Sequence, residues 1–134
     1  MTEAKHLVKM PNTKVPITDR GMPYHEVTMK AQRKYEARVR VVKAMAHPTR
    51  MFIVDELSRS GERCVCELTE MVGADISTVS KHLTLLKNAG IIGDEKRGNQ
   101  VFYSLKVPCI MDFFRCVESV IECKAAGCKV CSCK

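Results

Sequence analysis

Residues 76–92 read "ISTVSKHLTLLKNAGII", and this stretch decides the fold class. Ile76, Val79, Leu83 and Leu86 recur at spacings of three, four and three, which puts them on one face of an α-helix. Asp75 supplies a good N-cap, and Gly90 ends the helix. The other face carries Ser77, Thr78, Ser80, Lys81 and His82, with Thr84 and Lys87 at its flanks. These are hydrogen-bond donors beside positive charge, the set a helix needs to meet base edges in a major groove. Serine and threonine in a first helical turn also serve a cap alone, so Ser77 and Thr78 carry both readings.

Working outward, the upstream run "YEARVRVVKAMA" from Tyr35 is a basic amphipathic helix with Val39, Val42 and Ala46 on one face. Pro48 is placed to open the next helix, which offers Met51, Ile53, Val54 and Leu57 to the core and stops at Gly61. A short helix spans roughly 65–72. Downstream, "IIGDEKRGNQVFYSL" reads as two extended segments around a polar turn at "DEKRGN", a hairpin whose Lys96 and Arg97 at the tip, with Asn99 and Gln100 beside them, are expected to contact DNA as a wing. Pro108 then begins a last helix with Ile110, Phe113, Phe114, Val117, Val120 and Ile121, an apolar surface wide enough to imply burial in a homodimer. The expected fold is mainly α with a β-hairpin wing, a homodimeric winged helix-turn-helix. The expected organisation is a flexible N-terminal arm (1–30), a DNA-binding and dimerisation domain (31–123) and a cysteine-rich tail (124–134).

Composition agrees. The 134 residues are 46% apolar and 28% charged, as in a folded domain, and 22 basic against 15 acidic residues give a net charge of +7. That bias favours an anionic partner, nucleic acid before membrane. No apolar run approaches 18 residues and the first residues lack the apolar core of a signal peptide, so a cytoplasmic chain with reduced thiols is expected. No nucleophile with an oriented base and no glycine-rich phosphate loop points to an enzyme. His6 and His25 stand in the arm, where lone histidines are ordinarily solvated.

The eight cysteines are unevenly spread: Cys64 and Cys66 in "ERCVCELTEMV", Cys109, Cys116 and Cys123 at intervals of seven, and Cys128, Cys131 and Cys133 in the tail. Cys64 and Cys66 supply two sulfurs near a helix start, where unpaired N–H groups and Arg63 are expected to lower thiol pKa values. Cys109, Cys116 and Cys123 fall on one helical stripe, and a dimer-facing stripe also accepts cysteine as a small hydrophobe. The lysine-rich tail is unattractive as core, which leaves its cysteines available to a site.

With these residues in place, "MAHPTRMFIVDELSRSGERCVCELTEMV", "ISTVSKHLTLLKNAGII" and "KRGNQVFYSL" together resemble the arsenic- and zinc- or cadmium-responsive winged-helix repressors of the ArsR/SmtB type, across about residues 35–105. The resemblance implies a homodimer, paired through residues 35–46 and 108–123, that binds a palindromic operator near its own promoter and leaves it on binding inducer. It implies that Cys64 and Cys66 belong to a thiolate site for arsenite or antimonite, with cadmium or lead as the alternative. Two departures matter: the third cysteine of the familiar arsenic sensors is Thr69 here, and the arm lacks the cysteines of cadmium sensors. A third sulfur is therefore expected among Cys109, Cys116, Cys123, Cys128, Cys131 and Cys133. Zinc sensing on the last helix is not implied, since no histidine follows His82. Soft thiolates select soft ions without ranking them. A competing reading makes the thiols a redox or persulfide sensor in which Cys64 or Cys66 pairs with a distant thiol.

Overall fold

The computed structural model describes the backbone over residues 24–127 and side chains from residue 28 onward. The element order is α1 (Tyr24–Met45), α2 (Pro48–Ser60), β1 (Glu62–Cys64), α3 (Val65–Val72), α4 (Ile76–Asn88), β2 (Ile92–Arg97), β3 (Gln100–Leu105) and α5 (Ile110–Ala126). The chain divides after Arg38 into two units. In the first, α1 starts at Tyr24, so residues 24–30 of the expected arm are helical. Helix-supporting contacts follow: Gln32 donates to Glu36 at 3.3 Å, and the Arg38 guanidinium lies 5.6 Å from the centre of the Tyr35 ring.

In the second unit α2, α3 and α4 close around one core. Ile53, Val54 and Leu57 meet Leu68, Val79, Leu83 and Leu86, with Ile91 and Ile92 from the approach to the sheet. Ile76 departs from the expected apolar face: it is 57% exposed, because it is the first residue of α4 and the helix enters the core only at Val79. On the last turn of α1, Met45 rather than Ala46 turns inward. Val39 and Val42 stay exposed. Along α5, Ile110 and Phe114 join the core, whereas Phe113, Val120 and Ile121 remain exposed.

Each helix end is set by local chemistry. His47 caps α2 through Nδ1, which accepts the Thr49 N–H at 3.1 Å, and Pro48 occupies the first turn where its missing N–H costs nothing. The turn between α3 and α4 is Gly73, Ala74 and Asp75; Gly73, at φ 70°, takes the left-handed conformation that ends α3 and donates its N–H to the Thr69 carbonyl at 3.0 Å. Asp75 caps α4.

The hairpin is longer and its turn tighter than the polar run "DEKRGN" suggests. Ile92–Arg97 and Gln100–Leu105 pair from Ile92↔Leu105 to Arg97↔Gln100, leaving Gly98 and Asn99 as the loop. Gly98 has φ 62° while Asn99 has a negative φ, the pattern of a two-residue type II′ turn. Asp94 to Arg97 are polar because that part of the ribbon is exposed. A strand the periodicity does not announce, β1, adds to the sheet in the order β1-β3-β2. Three residues are too few to show a repeat.

Shortening Leu83 to alanine is expected to lower unfolding free energy by about 2–5 kcal/mol, while Ile76→Ala changes it by less than about 0.5 kcal/mol. Chemical denaturation of both variants at one protein concentration checks the two values.

Candidate nucleic-acid interface and thiol site

The recognition face of α4 divides into occupied and available groups. Asp75 accepts the Ser77 hydroxyl at 2.7 Å, the Thr78 hydroxyl at 2.8 Å and the Thr78 N–H at 2.9 Å. These bonds hold its carboxyl far below the usual range. Both hydroxyls therefore spend their single proton on the cap and keep their lone pairs as acceptors, so a base acceptor must compete with Asp75 while a base donor need not. Ser80 gives its carbonyl to Thr84 at 2.8 Å, and Lys81 is exposed. Lys87 pairs with Asp94 at 2.8 Å, tying α4 to the hairpin. His82 does not point outward: its ring lies 4.5 Å from that of His47, and its Nδ1 sits 3.3 Å from an Arg50 nitrogen.

On the hairpin, Lys96, Asn99 and Gln100 are exposed. Arg97 is committed. It binds Glu62 through two nitrogens, at 2.7 and 3.1 Å, and Glu95 at 2.8 Å, with its guanidinium 4.9 Å from the Phe102 ring centre. The sequence names it as a DNA contact from the wing; the structure ties it to β1 through Glu62.

Cys64 ends β1, where it pairs with Phe102, and caps α3. Its Sγ accepts the Glu67 N–H at 3.4 Å while the Glu67 carboxylate accepts the Cys64 N–H at 2.9 Å, a reciprocal capping box. Cys64 is 6% exposed and Cys66, two residues on in the first turn of α3, is exposed. The expectation of a lowered pKa fails for Cys64. The Glu67 N–H pulls it down, but burial together with the neighbouring Cys66 and Glu67 carries the thiol above its ordinary value. Nor is Arg63 among the groups that lower Cys64: it donates to Glu56 at 3.1 and 3.2 Å and to Glu67 at 3.3 Å.

Among the described residues no cluster of three His, Cys, Asp or Glu side chains is assembled that would hold a metal ion. Cys109 and Cys116 are exposed and Cys123 is partly buried on α5. Cys128, Cys131 and Cys133, like His6 and the His25 side chain, lie outside the described residues. An open groove lined by Pro48, Thr49, Phe52, Met71 and Val72 holds no thiol. Among the described residues no helix is long and apolar enough to cross a membrane.

The residues missed from sequence are those that position others: Arg50, His47, Glu62 and Asp75 as a hydroxyl acceptor. The signal for the first two is their place beside Pro48 in "HPTR", on a first helical turn away from the core positions.

Two packed helices joined by a three-residue turn and followed by a hairpin, which β1 from ahead of α3 extends to a three-stranded sheet, define a winged helix-turn-helix, the architecture of a DNA-binding regulator. Residues 47–93 match the model of the bacterial regulatory protein arsR family. The chain is 32% identical over 87 residues to an uncharacterized HTH-type transcriptional regulator of Methanocaldococcus jannaschii, spanning 65% of this chain and 98% of that protein. It is 39% identical over 91 residues to the arsenical resistance operon repressor of Escherichia coli K12, 63% of this chain and 78% of that one. To a cadmium resistance regulatory protein CadC homolog of Staphylococcus aureus it is 44% identical over 66 residues, 49% of this chain and 54% of that protein. Among solved structures, Rv0081 of M. tuberculosis superposes with a TM-score of 0.62 at 29% identity, covering 69% of this chain and 93% of that one. This chain belongs to the ArsR family of winged-helix transcriptional regulators.

In folded, reduced protein, Cys64 is expected to react with iodoacetamide at least about tenfold more slowly than Cys66, because the reactive species is an accessible thiolate. Peptide mass spectrometry over a time course reads both rates.

Proposed function

We propose that this chain is a homodimeric repressor that binds a palindromic operator and leaves it when trivalent arsenic or antimony is captured by Cys64, Cys66 and a third cysteine. The observation that carries the reading is the place of Cys64: one residue ends the strand that pairs with the wing and caps the helix that packs on α4. In the present arrangement its sulfur is buried and facing the Glu67 N–H. Binding at both thiols draws Cys64 out of the cap, releases Glu67 and disturbs the first turn of α3. DNA and inducer then favour different states, and by linkage each weakens the other by the same factor.

The third sulfur comes from Cys109, Cys116, Cys123, Cys128, Cys131 or Cys133, in the same protomer or its partner. Exposed Val39 and Val42 on α1 and Phe113, Val120 and Ile121 on α5 supply apolar surface for the dimer. Ser77, Thr78, Ser80 and Lys81 reach the groove, and Lys96, Asn99 and Gln100 the backbone. Arg97 contributes after exchanging a carboxylate for a phosphate.

Cadmium or lead is the second reading, favoured by the likeness to the cadmium resistance regulator. Proton balance separates the two. Arsenous acid meeting three thiols forms three As–S bonds and three waters with no net proton release. A divalent cation displaces one proton from each thiol it binds.

Titrating fluorescein-labelled operator complex of reduced protein with arsenite, antimonite, cadmium, lead and zinc is expected to release DNA with the first two. Cys64→Ala and Cys66→Ala abolish release while keeping operator affinity within about threefold, a change under about 0.7 kcal/mol. Arsenite affinity is expected to be flat between about pH 6 and 7.5, since its capture by neutral thiols releases no net proton. Response retained by both alanine variants places the site elsewhere, and release by cadmium alone, steeply dependent on pH, selects the second reading.

Glu62→Gln frees Arg97 from its bidentate partner, and operator affinity is expected to rise severalfold with a salt slope steeper by about one ion. Anisotropy across a salt series measures both.

A further inference from the structure

Arg50 stands in the first turn of α2 and touches two other helices at once. Its Nε donates to the Ala44 carbonyl and Nη2 to the Lys43 carbonyl at 3.2 Å, both at the end of α1, while Nη1 lies 3.3 Å from Nδ1 of His82 on α4. A guanidinium has no acceptor, so Nδ1 of His82 accepts and its ring proton is on Nε2. His47 lies against this ring, 4.5 Å between centres and tilted by 35°, and its own Nδ1 is held by the Thr49 N–H. One guanidinium thus joins the end of α1 and the start of α2 to the middle of the recognition helix.

We propose that Arg50, His82 and His47 are positioning residues that set the recognition helix for DNA, and that they hold it only while the His82 imidazole is neutral, so operator affinity falls on acidification. The inference rests on the DNA-binding reading of α4 and extends it to regulation by protons.

Protonating His82 puts a hydrogen on Nδ1, removes the acceptor and sets two cations 3.3 Å apart. The groups facing His82 from α2 are His47 and Arg50, and α1 reaches it through the Lys43 and Ala44 carbonyls that Arg50 binds. No carboxylate is among the groups that shift it. Burial first, then His47 and Arg50, hold its pKa below the ordinary 6.5. The folded chain therefore binds fewer protons than the unfolded one. The contribution is complete above about pH 6.5 and is lost as pH falls toward the folded value. A histidine that served DNA by meeting phosphate would act oppositely, binding more tightly when charged.

The test uses full-length reduced protein and a labelled duplex that it selects from random-sequence DNA at about pH 7.5. Between about pH 7.5 and 5.5 at constant ionic strength, wild-type affinity is expected to weaken about tenfold more than that of His82→Gln, whose amide oxygen accepts from Arg50 without titrating. Tenfold corresponds to about 1.4 kcal/mol of coupling between proton and duplex. Arg50→Gln is expected to bind weakly at the higher pH and to lose the extra pH dependence. An NMR titration of the wild-type His82 ring supplies a readout independent of either variant's folding: duplex is expected to lower its pKa, because by linkage DNA favours the neutral form. Equal pH slopes in wild type and His82→Gln, or a His82 pKa that DNA raises or leaves unchanged, overturn the clamp alone. Failure to select any duplex overturns the DNA-binding reading as well.

Discussion

The reciprocal bond between Cys64 and Glu67 is the constraint on which the rest of the structure depends. A capping box normally uses a hydroxyl, and a thiol in its place is a weaker acceptor with a longer reach, here 3.4 Å from the Glu67 N–H. The same residue is the last of β1 and faces Phe102 across the ladder. Helix start, strand end and wing therefore meet at one residue, whose side chain caps α3 while its main chain pairs with the wing strand. The Glu56–Arg63–Glu67 ion pairs surround it with charges that satisfy each other, leaving none to activate the thiol.

A second feature is that the groups proposed to face DNA are held by acids. Asp75 holds Ser77 and Thr78, Asp94 holds Lys87, and Glu62 with Glu95 holds Arg97. Such exposed pairs are individually weak, so DNA phosphates can replace the acids that hold Lys87 and Arg97 at small cost. Their value lies in order: donors that would otherwise sample many rotamers stay near one geometry, reducing what must be frozen on binding. The net charge of +7 attracts the duplex from a distance, and these local acids decide which cations meet it.

Most of the fold is legible in the sequence because α4, α2 and α3 each carry a helical repeat with a physical start and stop. Legibility fails at β1, whose three residues hold no repeat, and at the true extent of the hairpin, where main-chain pairing overrides the polarity of "DEKR". Ile76 leaves the core because spacing defines a face but not where along that face the core begins. The recognition helix is legible as a set of residue types, yet the roles within it are not. His82 turns inward to Arg50, a contact between residues 32 apart that no local pattern encodes. Cys64 and Cys66 are equivalent in sequence, and only the fold separates a buried cap from an exposed thiol.

The energetics assign the work of switching. Moving a two-state equilibrium from 1:99 to 99:1 needs about 5.5 kcal/mol of differential binding. The capping bonds around Cys64 contribute only about 1 kcal/mol each when broken, far too little to drive that change. On the proposed thiolate reading the energy must therefore come from the sulfur bonds of the inducer, and the protein's part is to make those bonds incompatible with the cap. A thiol that is buried, raised in pKa and joined at once to α3 and to the wing strand satisfies that condition, whereas exposed Cys66 alone does not. Capture at Cys66 without withdrawal of Cys64 would bind inducer equally in both states and shift nothing.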